Sequence, residues 1–271
     1  MNWDDAYANA PYIQNAETFP PAWARNAEAY RRLCKQSGAA ELDILYGTDE
    51  RHKLDIFWPS EPAQGIVFFV HGGFWRAFSK DSWSHLATAM VDAGWAVVMP
   101  SYRLTPAASL QQIVQDIAQS LNKVTAIVDG PIVLVGHSAG GHLVTMLMTE
   151  GQGLTEGIKE RLVRVVSISG LHDLTPLLHT KMNLDFGLNL KQAKLLSPAL
   201  QKPVVQAAVT CWVGGDERPE FIRQNQLLAE AWKQHGVTVK VVIEPKKHHF
   251  DVIEGLANNT HPLFTTVAGE L

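Results

Sequence analysis

Cysteine is almost missing from this chain: Cys34 and Cys211 are the only two, far apart and in no C-x-x-C pattern. That excludes a disulfide framework or a thiolate metal site and suits two small apolar residues in a reducing compartment. A basic surplus is missing too. The formal charge is −4, so nothing is available to neutralise a phosphate backbone, and no nucleic-acid partner is expected. No block of like charges marks a tail or a membrane-surface segment. The opening "MNWDDAYANA" carries acidic residues where a secretion signal needs basic ones, and it lacks an apolar core. An uncharged run at 130–149 is long enough for a bilayer. Glycines, histidines and hydroxyls interrupt it, however, and its pattern turns from strand-like to helical midway. No membrane partner is expected, and the expected location is cytoplasmic. The histidines show no H-E-x-x-H spacing, and neither a G-x-x-x-x-G-K-[ST] nor a G-x-G-x-x-G turn occurs. Neither a metal nor a cofactor is implied.

What is present is a succession of apolar runs. "LDIFWP" (54–59), "GIVFFV" (65–70), "AVVMP" (96–100), "PIVLVG" (131–136), "VRVVSISG" (163–170), "VTCWVGG" (209–215) and "VKVVIEP" (239–245) read as strands. Their continuous Val and Ile, without polar alternation, suits strands covered on both faces. Helical stretches at 82–93, 110–128, 141–149 and 218–234 alternate with them, which implies a mostly parallel sheet with right-handed crossovers. "LDILYG" (42–47) and "LDIFWP" look instead like an antiparallel opening hairpin, preceded by a helix near 22–35. With no repeat and no low-complexity linker, 1–271 reads as a single α/β domain: a doubly wound sheet of about eight strands. It has a helical segment at 1–39 and a small cap insertion at about 171–203.

One strand end carries chemistry. "VLVGHSAGGHLV" (133–144) runs an apolar strand into Gly136-His137-Ser138-Ala139-Gly140, a G-x-S-x-G turn that opens a helix. A serine in such a sharp turn adopts a strained backbone, so its neighbours two before and two after must be small. The helix that follows aims its N–H groups and positive dipole end at the site. Upstream, "FFVHGGFW" (68–75) sets His-Gly-Gly directly after another strand. Glycines there let backbone N–H groups approach an oxyanion closely. Gly73 and Phe74, with Gly72 contributing, are expected to join Ala139 as donors, while His71 lies too early to be the base and braces the loop. A serine hydroxyl needs a base that is itself oriented by a carboxylate. "CWVGGDERPEF" supplies Asp216 past one strand and "VVIEPKKHHFD" supplies His249 past the next. His249 is preferred to His248; Asp251 and Asp173 are competing acids, each read as a helix cap. The chain order Ser138, Asp216, His249 is that of the α/β-hydrolase fold.

H-G-G-F-W at 71–75, "YGTDERHKLDIFWP", "PSYRL", G-H-S-A-G-G-H-L at 136–143, "SGLHDLTPL" and His249-Phe250 together resemble α/β-hydrolases of the kynurenine formamidase (arylformamidase) and carboxylesterase type. The resemblance covers roughly residues 40 to 257. It implies a metal-independent triad of Ser138, Asp216 and His249 acting on a small-molecule substrate, with the H-G-G-x-W stretch lining the oxyanion hole. The sequence departs from the related hormone-sensitive-lipase-like esterases at position 74, where Phe replaces their third glycine. That favours the formamidase branch, with an aryl formamide such as N-formylkynurenine as substrate. A small-acyl carboxylesterase is the alternative, and a non-catalytic binding protein of this fold the remote one. Trp75, Tyr102 and Phe186 are candidate pocket aromatics. Arg76, Lys80 and Arg103 are candidates for a substrate carboxylate, with surface charge as their default reading. A homodimer stays open.

Overall fold

The computed structural model describes residues 2–269. Eight strands form one sheet: β1 (Ala40–Leu45), β2 (Lys53–Phe57), β3 (Ile66–Val70), β4 (Ala96–Pro100), β5 (Ile132–His137), β6 (Leu162–Ile168), β7 (Ala208–Gly214) and β8 (Val239–Glu244). Their order is β1-β2-β4-β3-β5-β6-β7-β8. β1 and β2 pair antiparallel, as do β2 and β4, and every later pair is parallel. This is the α/β-hydrolase fold, with the opening hairpin at one edge.

Burial follows position in the sheet. β3, β4 and β5 are buried along their whole length, whereas the edge strands β1 and β8 alternate or are partly exposed. Along β3, Ile66, Phe68 and Val70 enter one apolar layer while Val67 and Phe69 enter the other, because successive strand residues point to opposite faces. The first layer is closed by the helices Leu110–Thr125, Ala139–Met146 and Pro219–Lys233. The second is closed by Phe19–Ser37, whose two prolines fall in its first turn and which stops at Gly38, where φ is +74°.

The stretch expected as one helix at 82–93 is broken. Residues Lys80–Ser82 and Ser84–Ala87 are 3-10 turns, and only Thr88–Asp92 is α-helical. Trp83, at φ −128°, leaves helical geometry so that its ring can pack 4.6 Å from that of Trp23. Across 171–203 the chain forms short helical pieces, Thr175–His179, Asn183–Phe186, Leu190–Leu195 and Pro198–Leu200. Among the described residues no helix is long and apolar enough to cross a membrane.

Four histidines near the carboxyl ends of the strands are held neutral by burial. It pushes His71 and His172 down to about 3 and His142 to about 4 from an ordinary 6.5, and His137 well below that value. The unfolded chain would bind protons at these imidazoles near pH 6.5 while the folded chain would not. The stability they confer is therefore complete above that pH and is lost as pH falls toward their folded values, by up to about 1.4 kcal/mol per pH unit for each. Urea unfolding should show a midpoint that drops steeply between pH 7 and pH 5; a flat profile there would contradict this reading.

Candidate active site

The parallel strands deliver their loops to one end of the sheet, and the candidate residues gather there. Ser138 follows β5 at φ 55°, ψ −117° and caps the helix Ala139–Met146. Two positions before and two after it, only glycine fits. A Cβ on Gly136 would lie 2.1 Å from the Gly140 carbonyl oxygen, and one on Gly140 would lie 2.0 Å from that of Val70. The Ser138 N–H donates to the Ile168 carbonyl across to β6 (2.8 Å). Its hydroxyl has no hydrogen-bond partner among the described residues, His249 included; such catalytic hydrogen bonds are often long or poorly aligned until substrate binds.

His249 lies on the loop after β8, buried, its ring 4.4 Å from that of Phe221 and 4.8 Å from that of His137. His137 donates from Nε2 to the His249 carbonyl (2.9 Å), which fixes the backbone at the base. The Nδ1 of His249 stands 2.6 Å from Oε2 of Glu217. The other carboxylate oxygen accepts from the Ser169 hydroxyl (2.5 Å) and the Gly214 N–H (2.8 Å). A carboxylate with both oxygens engaged orients the imidazole and stabilises its charged form.

The carboxylate paired with His249 is Glu217, which corrects the expectation of Asp216 at that position. The chain leaves β7 through Gly214 and Gly215 and is pulled across the end of β8. Gly215 N–H donates to the Glu244 carbonyl and Asp216 N–H to that of Lys247. This turns the Asp216 side chain outward into solvent and the next residue inward. The longer Glu side chain reaches the imidazole from one position later. Only the adjacency of two acids in "GGDERPEF" could have raised this in the sequence.

His248 points elsewhere. Its Nδ1 accepts from the N–H groups of Phe250 and Asp251, and its ring packs edge-on against Phe19. Asp251 accepts from the His248 N–H, and Asp173 caps the turn at Thr175.

The loop after β3 presents three successive residues with left-handed backbone, Gly73 (φ 111°), Phe74 (φ 48°) and Trp75 (φ 57°). The turn leaves successive N–H groups free among the described residues, and anion-binding concavities are built from such groups. A Cβ at Gly73 would lie 2.4 Å from the Ala77 carbonyl oxygen, so this position admits glycine alone. Among the described residues the N–H groups of Gly73 and Phe74 have no acceptor, and that of Ala139, first in its helix, has none within it. Gly72 packs on the elbow: its Cβ would stand 3.0 Å from Cβ of Ser138.

Three expected pocket aromatics are not in the pocket. Tyr102 is fully buried behind the loop, where its hydroxyl donates to the His71 carbonyl (2.9 Å) and its ring stacks 4.3 Å from His71. The left-handed turn at 73–75 sends Trp75 inward, edge-on to both His142 and Phe186. Phe186 is consumed in that contact. Of the basic candidates, Lys80 is buried among Asp43 (2.7 Å), Asp55 (2.9 Å) and Asp81 (3.0 Å), and Arg103 is paired with Asp116 (2.6 Å).

The cavity that remains, about 460 Å³, is lined by Ser138, His249, Gly73 and Phe74 together with Trp23, Phe78, Trp83 and Phe250. Arg76 and Met182 complete part of its wall, and residues 4 and 7–11 another part. Nothing in the pattern of those amino-terminal residues signals that placement.

A family profile named BD-FAE matches residues 54–226. The kynurenine formamidase of Danio rerio is 29% identical over 82% of this chain and 78% of its own length, and that of Drosophila melanogaster 24% over 84% and 80%. A structure from Silicibacter sp. tm1040, provisionally described as a thioesterase, superposes with a TM-score of 0.94 and 45% identity, covering 98% of this chain and 99% of that one. Esterase B of Lactobacillus rhamnosis shares the fold at a TM-score of 0.71 and 18% identity, over 91% and 95% of the two chains. The chain belongs to the BD-FAE family of α/β-hydrolases.

Proposed function

We propose that the protein is a serine hydrolase that removes a small acyl group, with an aryl formamide such as N-formylkynurenine as its substrate. The observation that carries this reading is the placement of Ser138, on its strained turn, and His249, backed by Glu217, in the lining of one aromatic cavity. Ser138 attacks the formyl carbon while His249 takes its proton at Nε2. The oxyanion forms against the N–H groups of Gly73, Phe74 and Ala139. The proton then passes to the leaving nitrogen, the aryl amine departs, and water activated by His249 clears the formyl-enzyme. Phe74, half-buried beside the oxyanion loop, crowds the acyl side and favours formyl or acetyl over longer chains. Trp23, Phe78 and Phe250 offer apolar faces to an aryl leaving group. The likeness to named kynurenine formamidases over most of both chains supports the formamide. Cys34 and Cys211, both free and buried, support a cytoplasmic setting.

Turnover of N-formylkynurenine against p-nitrophenyl acetate tests the substrate. Efficient formamide cleavage is expected; negligible formamide cleavage beside fast ester cleavage would overturn it. In that event a small-acyl esterase or thioesterase is the reading to adopt, favoured by the 45% identical structure.

Ser169 is expected to act through Glu217. Ser169→Ala removes one of the two donors to Oε1 of the carboxylate, and a hydrogen bond to a charged group is worth about 1.5–3 kcal/mol. A fall of about tenfold or more in kcat with KM unchanged is expected; an unchanged kcat would remove Ser169 from the mechanism.

A further inference from the structure

Residues 2–12 are held by hydrogen bonds and ion pairs, some within the segment and some to the body of the protein. Asn2 accepts from the Asp5 N–H, Asp4 from the Lys181 N–H, and Asp5 pairs with Arg218 (2.7 Å) and with the Tyr12 hydroxyl. The Tyr7 hydroxyl donates to Glu220 (2.7 Å) and accepts from Gln224 (3.0 Å). The Arg218 guanidinium also lies 3.6 Å above the Tyr12 ring. The strap is thus tied to the loop that carries Glu217. Asn9 alone among these carboxylate, amide and phenol side chains has no partner. It is only 8% exposed, its Oδ1 is buried without a hydrogen bond, and it lines the cavity between the small residues Ala8 and Ala10.

A buried amide oxygen left without a partner is destabilising, and native structures rarely carry one without a use. The Nδ2 end of the carboxamide offers donors to a polar group of the substrate, whereas Oδ1 is closed off and becomes an acceptor only if the side chain turns. Arg76 lines the same cavity; only its Nη1 is committed to a side chain, Asp185 at 3.2 Å. Asp4 and Tyr7 also line the cavity but are already bonded, Asp4 to the Lys181 N–H and Tyr7 to Glu220 and Gln224. With Ser138 and His249 reserved for the chemistry, Asn9 and Arg76 mark where a polar portion of the substrate would lie.

We propose that Asn9 is a specificity-determining residue: its carboxamide hydrogen-bonds a polar group on the arm of the substrate beyond the scissile bond. Arg76 receives the anionic end of that arm. The choice of probe rests on the aryl-formamide reading above, but the test does not require formamide cleavage. Hydrolysis of p-nitrophenyl acetate is inhibited in turn by kynurenine, which carries a polar amino-acid arm, and by 2-aminoacetophenone, which lacks it. The wild-type protein is expected to bind kynurenine more tightly. In Asn9→Ala and in Asn9→Leu, which keeps the volume, the ratio of the two inhibition constants is expected to shift about tenfold or more toward the armless ligand. A purely structural role would move both constants together. The proposal is overturned if kynurenine has no advantage in the wild type, or if that advantage survives in both variants. Absence of N-formylkynurenine cleavage alone would sink only the formamidase reading, because the inhibition ratio is read from the ester.

Discussion

Ser138→Ala is expected to lower kcat by about a millionfold, the scale seen when the nucleophile of a serine hydrolase is removed. The loss is expected to be large because His249 and Glu217 would act through that one oxygen, leaving only the residual rate that the oxyanion donors and binding supply. Stability should barely change. The Ser138 hydroxyl has no hydrogen-bond partner among the described residues, and the backbone conformation at φ 55° is as strained for alanine as for serine. Steady-state hydrolysis of p-nitrophenyl acetate with a thermal melt on the same sample checks both halves. A loss below tenfold, with the melt unchanged, would mean that another group is the nucleophile.

Glu217→Gln is expected to cost about 10⁴-fold in kcat, the scale of the corresponding acid-to-amide change in a serine protease. The direction of the new amide can be worked out. The Ser169 hydroxyl and the Gly214 N–H both donate to one carboxylate oxygen, so the amide oxygen must remain there. Its NH₂ then faces Nδ1 of His249 and forces the imidazole proton onto Nε2, the atom that should accept the serine proton. Asp216→Asn, by contrast, should retain activity within about threefold, since surface changes remote from such contacts have small effects. Its backbone N–H, held by Lys247, is kept in that variant. Comparing kcat for the two variants separates the two acids. Equal losses, or a larger loss at 216, would restore the acid expected from chain order.

That substitution of one acid for its neighbour shows where sequence reasoning stops. β3 and β5 are legible because buried parallel strands need uninterrupted Val, Ile and Phe, and Ser138 is legible because its turn excludes any side chain at Gly136 and Gly140. His249 is legible from its place after the last strand. The acid is not, because Gly214-Gly215 permits several exits from β7 and only the pairing of Gly215 and Asp216 with the β8 loop selects one. Trp75 fails for a related reason. Aromatic character says that its ring is buried, whereas the left-handed backbone at 73–75 decides on which side. The amino-terminal wall of the cavity is illegible altogether. Its docking rests on single long-range pairs such as Tyr7 with Glu220 and Asp5 with Arg218, and pairs of that kind leave no periodic trace.

The oxygen of Ser138 is expected to be the nucleophile, activated by His249. Reaction with a fluorophosphonate followed by peptide mass mapping tests it most directly. The expected result is a single stoichiometric adduct on Ser138, with labelling slowed by orders of magnitude in Glu217→Gln. No adduct, or an adduct on any other residue, would contradict the account.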